Sequence, residues 1–121
     1  MGPQVKETAT GAAVNEVRLV GRISQPPEER VLPSGDTVWT FRVVVARPAA
    51  DPVKARAGVD ALECVAWSGR VRRSVSGWSA GDVVEVTGAL RRRFFRTGGA
   101  VASRVEVEVG AGRVIRRATN G

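Results

Sequence analysis

The chain has 121 residues, which is enough for one domain with one hydrophobic core but not for two. Nineteen Lys and Arg against twelve Asp and Glu give a net charge of +7, which favours a polyanionic partner, nucleic acid before an anionic membrane surface. A single cysteine, Cys64, excludes an intramolecular disulfide, and the lack of histidine argues against structural zinc. Met1–Ala13 lacks the apolar core of a signal peptide and no stretch resembles a membrane span, so we expect a cytoplasmic protein.

Valine-rich runs that alternate with polar residues dominate the middle of the chain. Runs of this kind, separated by clusters of Pro, Gly, Asp and Ser, are typical of β-strands. The sequence predicts five strands, at Val14–Ser24, Thr37–Arg47, Val59–Trp67, Asp82–Arg96 and Ala100–Val109. We expect them to form one domain over residues 14–117, flanked by flexible tails at 1–13 and 118–121.

Glycine-containing turns connect these strands. Pro33–Asp36 precedes the second strand, and Thr97–Gly99 joins the last two strands in a predicted β-hairpin. The break at Gly110–Gly112 is expected to end the fifth strand, ahead of a short apolar piece at Val114–Ile115.

One segment, between the third and fourth strands, has the period of a helix. Val71, Val75 and Trp78 share one face, Ser68 is placed to cap the amino terminus, and Gly81 ends the segment. Three strands, one helix and two further strands is the order of the OB-fold. An immunoglobulin-like sandwich would have about seven strands and no helix at this point. We therefore predict an all-β, five-stranded OB-fold Greek-key barrel with one short helix between strands three and four.

Four stretches carry a family resemblance: Asn15–Ile23; Leu32–Gly35 with Val38 and Phe41; Val65–Trp67 with Gly81 and Asp82; and Val84–Arg91. In this order and spacing they resemble the bacterial single-stranded DNA-binding protein family. The resemblance extends from about Asn15 to Val109. It implies an OB-fold that binds unpaired DNA and assembles as a homotetramer.

The sequence departs from the family pattern at several places. Ala61 occupies a base-stacking position, and the loop at Pro48–Ala49 carries no aromatic residue. Glu63 stands where a basic residue is more usual. The family's long tail with an acidic and apolar tip is absent up to Gly121, so recruitment of repair and replication proteins through such a tip is not expected.

Alternation on the predicted fourth strand places Arg91, Arg93 and Phe95 in one outward row, while Leu90 points inward with the core valines. Guanidinium groups beside an aromatic ring suit unpaired DNA, because the cations hold phosphates while the ring accepts a base. The resemblance assigns base stacking to Phe95 and also to Trp67. The alternatives are that Phe95 packs on a neighbouring subunit and that Trp67 caps the barrel.

Other cations are candidates for phosphate binding. Arg96 lies at the basic end of the fourth strand, and Arg22 and Arg42 point outward by alternation. The loop from Pro48 to Gly58 carries Lys54 and Arg56, either on an arm over the groove or on a solvated surface. Further contributors to the electrostatic field are Arg18, Arg70, Arg72 and Arg73.

The remaining residues of note are assigned to the core or the surface. Trp39, Trp78 and Cys64 are expected in the core. Glu106 and Glu108 alternate with valines, which a solvated strand face explains. The valines that alternate with them could supply a subunit interface; they are Val105, Val107 and Val109.

The sequence thus predicts a non-enzymatic protein that binds single-stranded DNA without sequence preference and protects it in replication, recombination or repair near the nucleoid. No histidine, phosphate-cradling Gly-Lys-Ser/Thr loop or acidic cluster with metal-ligand character is present, so no cofactor or metal is expected. Two alternatives stay open. One is an RNA-binding OB-fold. The other is a protein-interaction module with weak nucleic-acid binding, which Ala61 and Glu63 favour.

Overall fold

The computed structural model describes residues 11–48 and 58–119. These ranges contain six β-strands and one α-helix. In chain order they are β1 (Val17–Ile23), β2 (Glu28–Val31), β3 (Thr37–Ala46), β4 (Val59–Ala66), α1 (Gly69–Val75), β5 (Val83–Thr97) and β6 (Ala100–Arg116). The predicted all-β fold with a short helix before the last two strands is confirmed. The proposed tails lie largely outside the described residues.

The sheet closes into a barrel through β1. The strand order is β1-β5-β6-β4-β3-β2, and β1 pairs a second time with β3. β4 and β6 run parallel, at Cys64 opposite Val107, whereas the other pairs are antiparallel. Closure buries one face of every long strand, and the core consists mainly of valines from β3, β5 and β6 packed with Ile23 and Phe41.

Two glycines allow the strands to approach closely enough for closure. A Cβ atom at Gly21 of β1 would collide with the carbonyl oxygen of Val44 on β3. A Cβ atom at Gly88 of β5 would collide with the carbonyl oxygen of Glu108 on β6. Both positions therefore require the residue without a side chain.

β2 is a sixth strand that the sequence did not reveal. Its sequence, Glu-Glu-Arg-Val, lacks the apolar alternation by which strands are recognised, and all four residues, Glu28–Val31, are exposed. The strand forms because it pairs with β3, from Glu28 opposite Thr40 to Val31 opposite Thr37. The turn at Pro33–Asp36 joins these two strands in a hairpin.

The expected end of the last strand at Gly110–Gly112 is wrong, because β6 continues to Arg116. A register shift between Thr87 and Gly88 of β5 absorbs the extra residue Gly110, after which pairing resumes. The end of α1 also differs: the helix stops at Val75, although Trp78 is still buried and meets the Phe41 ring edge-on at 5.3 Å. The predicted cap is confirmed, since the hydroxyl of Ser68 accepts a hydrogen bond from the N–H of Val71.

The far half of the β5–β6 pair stands apart from the barrel. Within the described ranges, residues 91–97 and 100–106 pair only with each other, whereas earlier residues of β5 also pair with β1. We call this two-stranded segment the hairpin arm. Leu90, at its base, is 47% exposed, so its predicted inward position is wrong. Conversely, Val107 and Val109 belong to the core and are not free to form an interface between subunits.

No helix in the described part of the chain is long and apolar enough to cross a membrane.

A buried carboxylate fastens the end of the domain. Asp82 is 1% exposed and accepts hydrogen bonds from the N–H groups of Ser79 and Ala118 and from the guanidinium of Arg117. Burial alone would raise the pKa of Asp82, but these hydrogen bonds and the charge of Arg117 lower it below the usual 3.8. Asp82 thus ties residues 117 and 118 to the turn before β5.

Asp82→Asn should lower the free energy of unfolding at neutral pH by roughly 2 kcal/mol, because buried donors lose a charged acceptor. Since the folded pKa lies below the unfolded one, this stabilisation is full above about pH 5 and fades as the pH falls through the pKa of folded Asp82. Urea unfolding at neutral and acid pH measures it. Glu29→Gln, at an exposed carboxylate, is the control; an equal change in both variants would contradict the assignment.

Candidate nucleic-acid interface

A cleft of about 440 Å³ opens on the outer face of the barrel. Its lining comes from β2 and the turn after it, β3, the end of β4 and the hairpin arm. The strand registers explain why these side chains share a face, since Thr40 lies opposite Val65 and Arg93 lies opposite Arg104. Val38 and Val65 are buried beneath the cleft and give it an apolar base.

Trp67 lies in the cleft directly after the last residue of β4 and directly before the helix cap. The guanidinium of Arg93 covers its ring, with the guanidinium carbon 5.2 Å from the ring centroid, a cation–π arrangement. The indole N–H is buried and has no hydrogen-bond partner among the described residues. The ring is partly exposed, so it offers a flat apolar surface beside a positive charge.

Phe95 provides a second aromatic surface on the hairpin arm. It is 44% exposed, and the guanidinium of Arg104 lies 5.9 Å from its ring centroid. The register explains the contact, because Phe95 lies opposite Ala102, two residues from Arg104. The cleft therefore contains two pairs, each of one aromatic ring and one guanidinium.

Two carboxylates neutralise much of this positive charge. Glu106 is only 7% exposed and pairs with Arg93 at 2.9 Å and with Arg104 at 3.6 Å. Glu108 pairs with Arg91 at 2.7 Å. The expectation of a solvated Glu106 is wrong, because the arginines on the neighbouring strand and on its own strand enclose it.

The structure brings some of the predicted site residues together. Trp67, Arg93 and Phe95 all line the cleft, whereas Arg91 lies next to it on β5 and is held by Glu108. Arg96 is exposed near the tip of the hairpin arm and forms no ion pair among the described residues.

Other predicted cations lie away from the cleft. Arg42 pairs with Glu63 at 2.6 Å, in a separate hollow that Glu28 also borders. Arg22 is exposed on β1 and does not line the cleft. Lys54 and Arg56 fall in residues 49–57, outside the described residues.

Three arginine or aromatic residues of the lining were not singled out from the sequence: Arg30, Phe94 and Arg104. Arg30 lies on β2, the strand that its polar sequence concealed. Arg104 could have been found from the predicted hairpin, because extending the pairing from the Thr97–Gly99 turn places it opposite Arg93. By alternation Phe94 points away from Phe95, and no pattern in the sequence indicated that it borders the cleft.

Cys64 gives the site no nucleophile. Burial, followed by the nearby charges of Glu63 and Glu106, raises the pKa of its thiol to about 12. The thiol therefore stays protonated at neutral pH and acts as a small core residue.

An OB-fold barrel whose cleft is lined by aromatic rings and arginines is typical of nucleic-acid-binding modules. Residues 14–115 match the family described as "Single-strand binding protein family", and the chain belongs to this family.

Proteins named as single-stranded DNA-binding proteins are similar to this chain. The single-stranded DNA-binding protein of Oceanobacillus iheyensis is 32% identical over 82 residues, which is 68% of this chain and 50% of that protein. Single-stranded DNA-binding protein A of Bacillus subtilis is 32% identical over 80 residues, 66% of this chain and 46% of that protein. The chain thus spans about half the length of the curated relatives it matches.

A solved structure confirms the fold. The structure titled "Plasmodium falciparum SSB complex with ssDNA" superimposes with a TM-score of 0.71 at 22% identity, covering 87% of this chain and 96% of that one. Such a likeness supports the OB-fold independently of the sequence match.

Proposed function

We propose that this chain binds single-stranded DNA without sequence preference and protects it during replication, recombination or repair in the cytoplasm, close to the nucleoid. The observation that carries the proposal is the cleft, in which the rings of Trp67 and Phe95 lie beside Arg93 and Arg104. The names of the curated relatives support the same ligand.

The proposed binding mode follows from the chemistry of the lining. Bases stack on Trp67 and Phe95, and guanidinium groups, including that of Arg30, hold the phosphates. Arg30 forms no ion pair among the described residues, so its charge is available without breaking a contact. The bases of a duplex are already stacked on each other and cannot lie against these rings. We propose a binding role only, with no catalytic step.

The first test is a titration of tryptophan fluorescence with a thymidine oligonucleotide at two salt concentrations. We expect quenching by the oligonucleotide, much less by a duplex of equal length, and a steep loss of affinity with salt, because phosphate contacts release counterions. A matched uridine oligonucleotide distinguishes the RNA-binding alternative. If no oligonucleotide binds at low salt, the proposal fails and the protein-interaction alternative gains support.

The second test removes the rings. Trp67→Ala and Phe95→Ala should each weaken binding by about 1–3 kcal/mol, because each removes one stacking surface. Ile115→Ala is the matched control, since Ile115 is 47% exposed on β6 but does not line the cleft. Affinities from fluorescence anisotropy with labelled oligonucleotide measure the effect. Equal losses in all three variants would argue against stacking in the cleft.

We also propose that the chain assembles as a homotetramer, as the family resemblance implies. One face of the hairpin arm and of its base, the face opposite Phe95, supports this proposal. It exposes four apolar side chains: Leu90, Phe94, Val101 and Val105. A second copy of the same chain would cover them.

Sedimentation or light scattering should give four times the chain mass of 12.8 kDa. Val105→Lys should shift the distribution towards smaller species, because it places a charge in the proposed interface. Val31→Lys, at an exposed valine of β2, is the control and should leave the mass unchanged. A wild-type mass of one chain would refute the assembly.

A further inference from the structure

One carboxylate contacts both of the guanidinium groups that lie over aromatic rings in the cleft. Glu106 is almost fully buried, yet it lies 2.9 Å from the guanidinium of Arg93 and 3.6 Å from that of Arg104. The same two guanidiniums lie over the rings of Trp67 and Phe95. This one side chain therefore contacts both cations that lie over the rings; Glu108 also lies 3.9 Å from the guanidinium of Arg93.

We propose that Glu106 is a positioning residue that substitutes for DNA phosphate in the free protein. A carboxylate and a phosphate offer similar acceptor oxygens to the fork of a guanidinium. Arg93 and Arg104 each lie against one ring, so a base that stacks on that side of the ring displaces the guanidinium. Binding then requires an exchange: both arginines turn from Glu106 to phosphates, and bases take their places on the rings. This inference rests on the proposed function and deepens it.

The exchange has a signature in the salt dependence of binding. An arginine that has no ion pair before binding contributes fully to the salt dependence, because the DNA phosphate that it contacts releases a counterion and no other ion is taken up. An arginine that leaves Glu106 contributes little to the salt dependence. The DNA phosphate releases one cation, but the carboxylate of Glu106 takes up a cation from solution, so the net release of ions is small. Glu106 should therefore lower both the affinity for DNA and the steepness of its salt dependence.

The test is Glu106→Gln, which keeps the shape of the side chain and removes its charge. Binding of a thymidine oligonucleotide is measured at four or more salt concentrations. Two freed arginines should steepen the slope of log K against log salt by roughly 1 to 1.5, at about 0.7 per phosphate on a single strand. At low salt the affinity should rise at least about fivefold, because that is the upper scale of an exposed ion pair and the carboxylate of Glu106 is buried.

Glu85→Gln is a matched control. Glu85 likewise bridges two arginines, Arg18 at 2.6 Å and Arg113 at 2.8 Å, but it does not line the cleft. Both arginines also lower its pKa through hydrogen bonds, that of Arg113 foremost. This variant should leave the slope unchanged, which separates exchange in the cleft from a general gain of positive charge.

A double-mutant cycle tests whether Glu106 acts through the two arginines. In an Arg93→Gln/Arg104→Gln background, Glu106→Gln should no longer change the slope. If Glu106→Gln does not fold, Glu108→Gln tests the same exchange, because Glu108 lies 2.7 Å from Arg91 and 3.9 Å from Arg93. The expected steepening is up to about 0.7.

The outcomes are distinct. Wild-type binding with an unchanged slope and affinity in Glu106→Gln overturns this inference but leaves the proposed function intact. In the event that Glu106→Gln does not fold, an unchanged slope in Glu108→Gln does the same. A change of equal size in Glu85→Gln also overturns the inference. Failure of the wild-type chain to bind any oligonucleotide overturns the proposed function itself.

Discussion

The pairing of β5 with β6 is the interaction on which the rest of the structure depends. It runs from Val83 opposite Arg116 to Thr97 opposite Ala100, the longest strand pairing described in the chain. Its first half closes the barrel with β1 and supplies core valines, and its second half forms the arm that carries Arg93, Phe95 and Arg104. Because one ladder serves both purposes, the register that packs the core also sets the geometry of the cleft.

Much of the positive charge near the cleft is already paired with carboxylates, so less of it can contact a polyanion than the net charge suggests. Of the arginines near the cleft, Arg91, Arg93 and Arg104 already pair with carboxylates on β6. Net charge therefore describes long-range attraction of a polyanion, whereas local pairing decides how much of that charge can contact it. Arg30 and Arg96 form no such pairs among the described residues. They can therefore contact a polyanion without first breaking an ion pair, unlike the other three arginines.

Sequence reasoning succeeded where a pattern has a local cause and failed where the cause is tertiary. Val84 and Val86 alternate and are buried, and Ser68 caps the helix as its position predicts. β2 escaped detection because its strand state comes from pairing with β3 rather than from its own residues. Glu106 was misjudged because burial by two arginines cannot be read from alternation on one strand. Alternation placed Phe95 and Arg93 on one outward face, and the family resemblance assigned base stacking to Phe95 and Trp67. Which cation lies over which ring became visible only with the cross-strand register.

The two aromatic rings of the cleft have supports of different stiffness. Trp67 is set between the last residue of β4 and the capped start of α1, both parts of the closed barrel. Phe95 stands on the hairpin arm, whose two strands pair with no third strand among the described residues, and a two-stranded segment is less stable than a closed barrel. If bases stack on both rings, as proposed above, purines and pyrimidines of different size meet one ring held by the barrel and one held by this less stable arm.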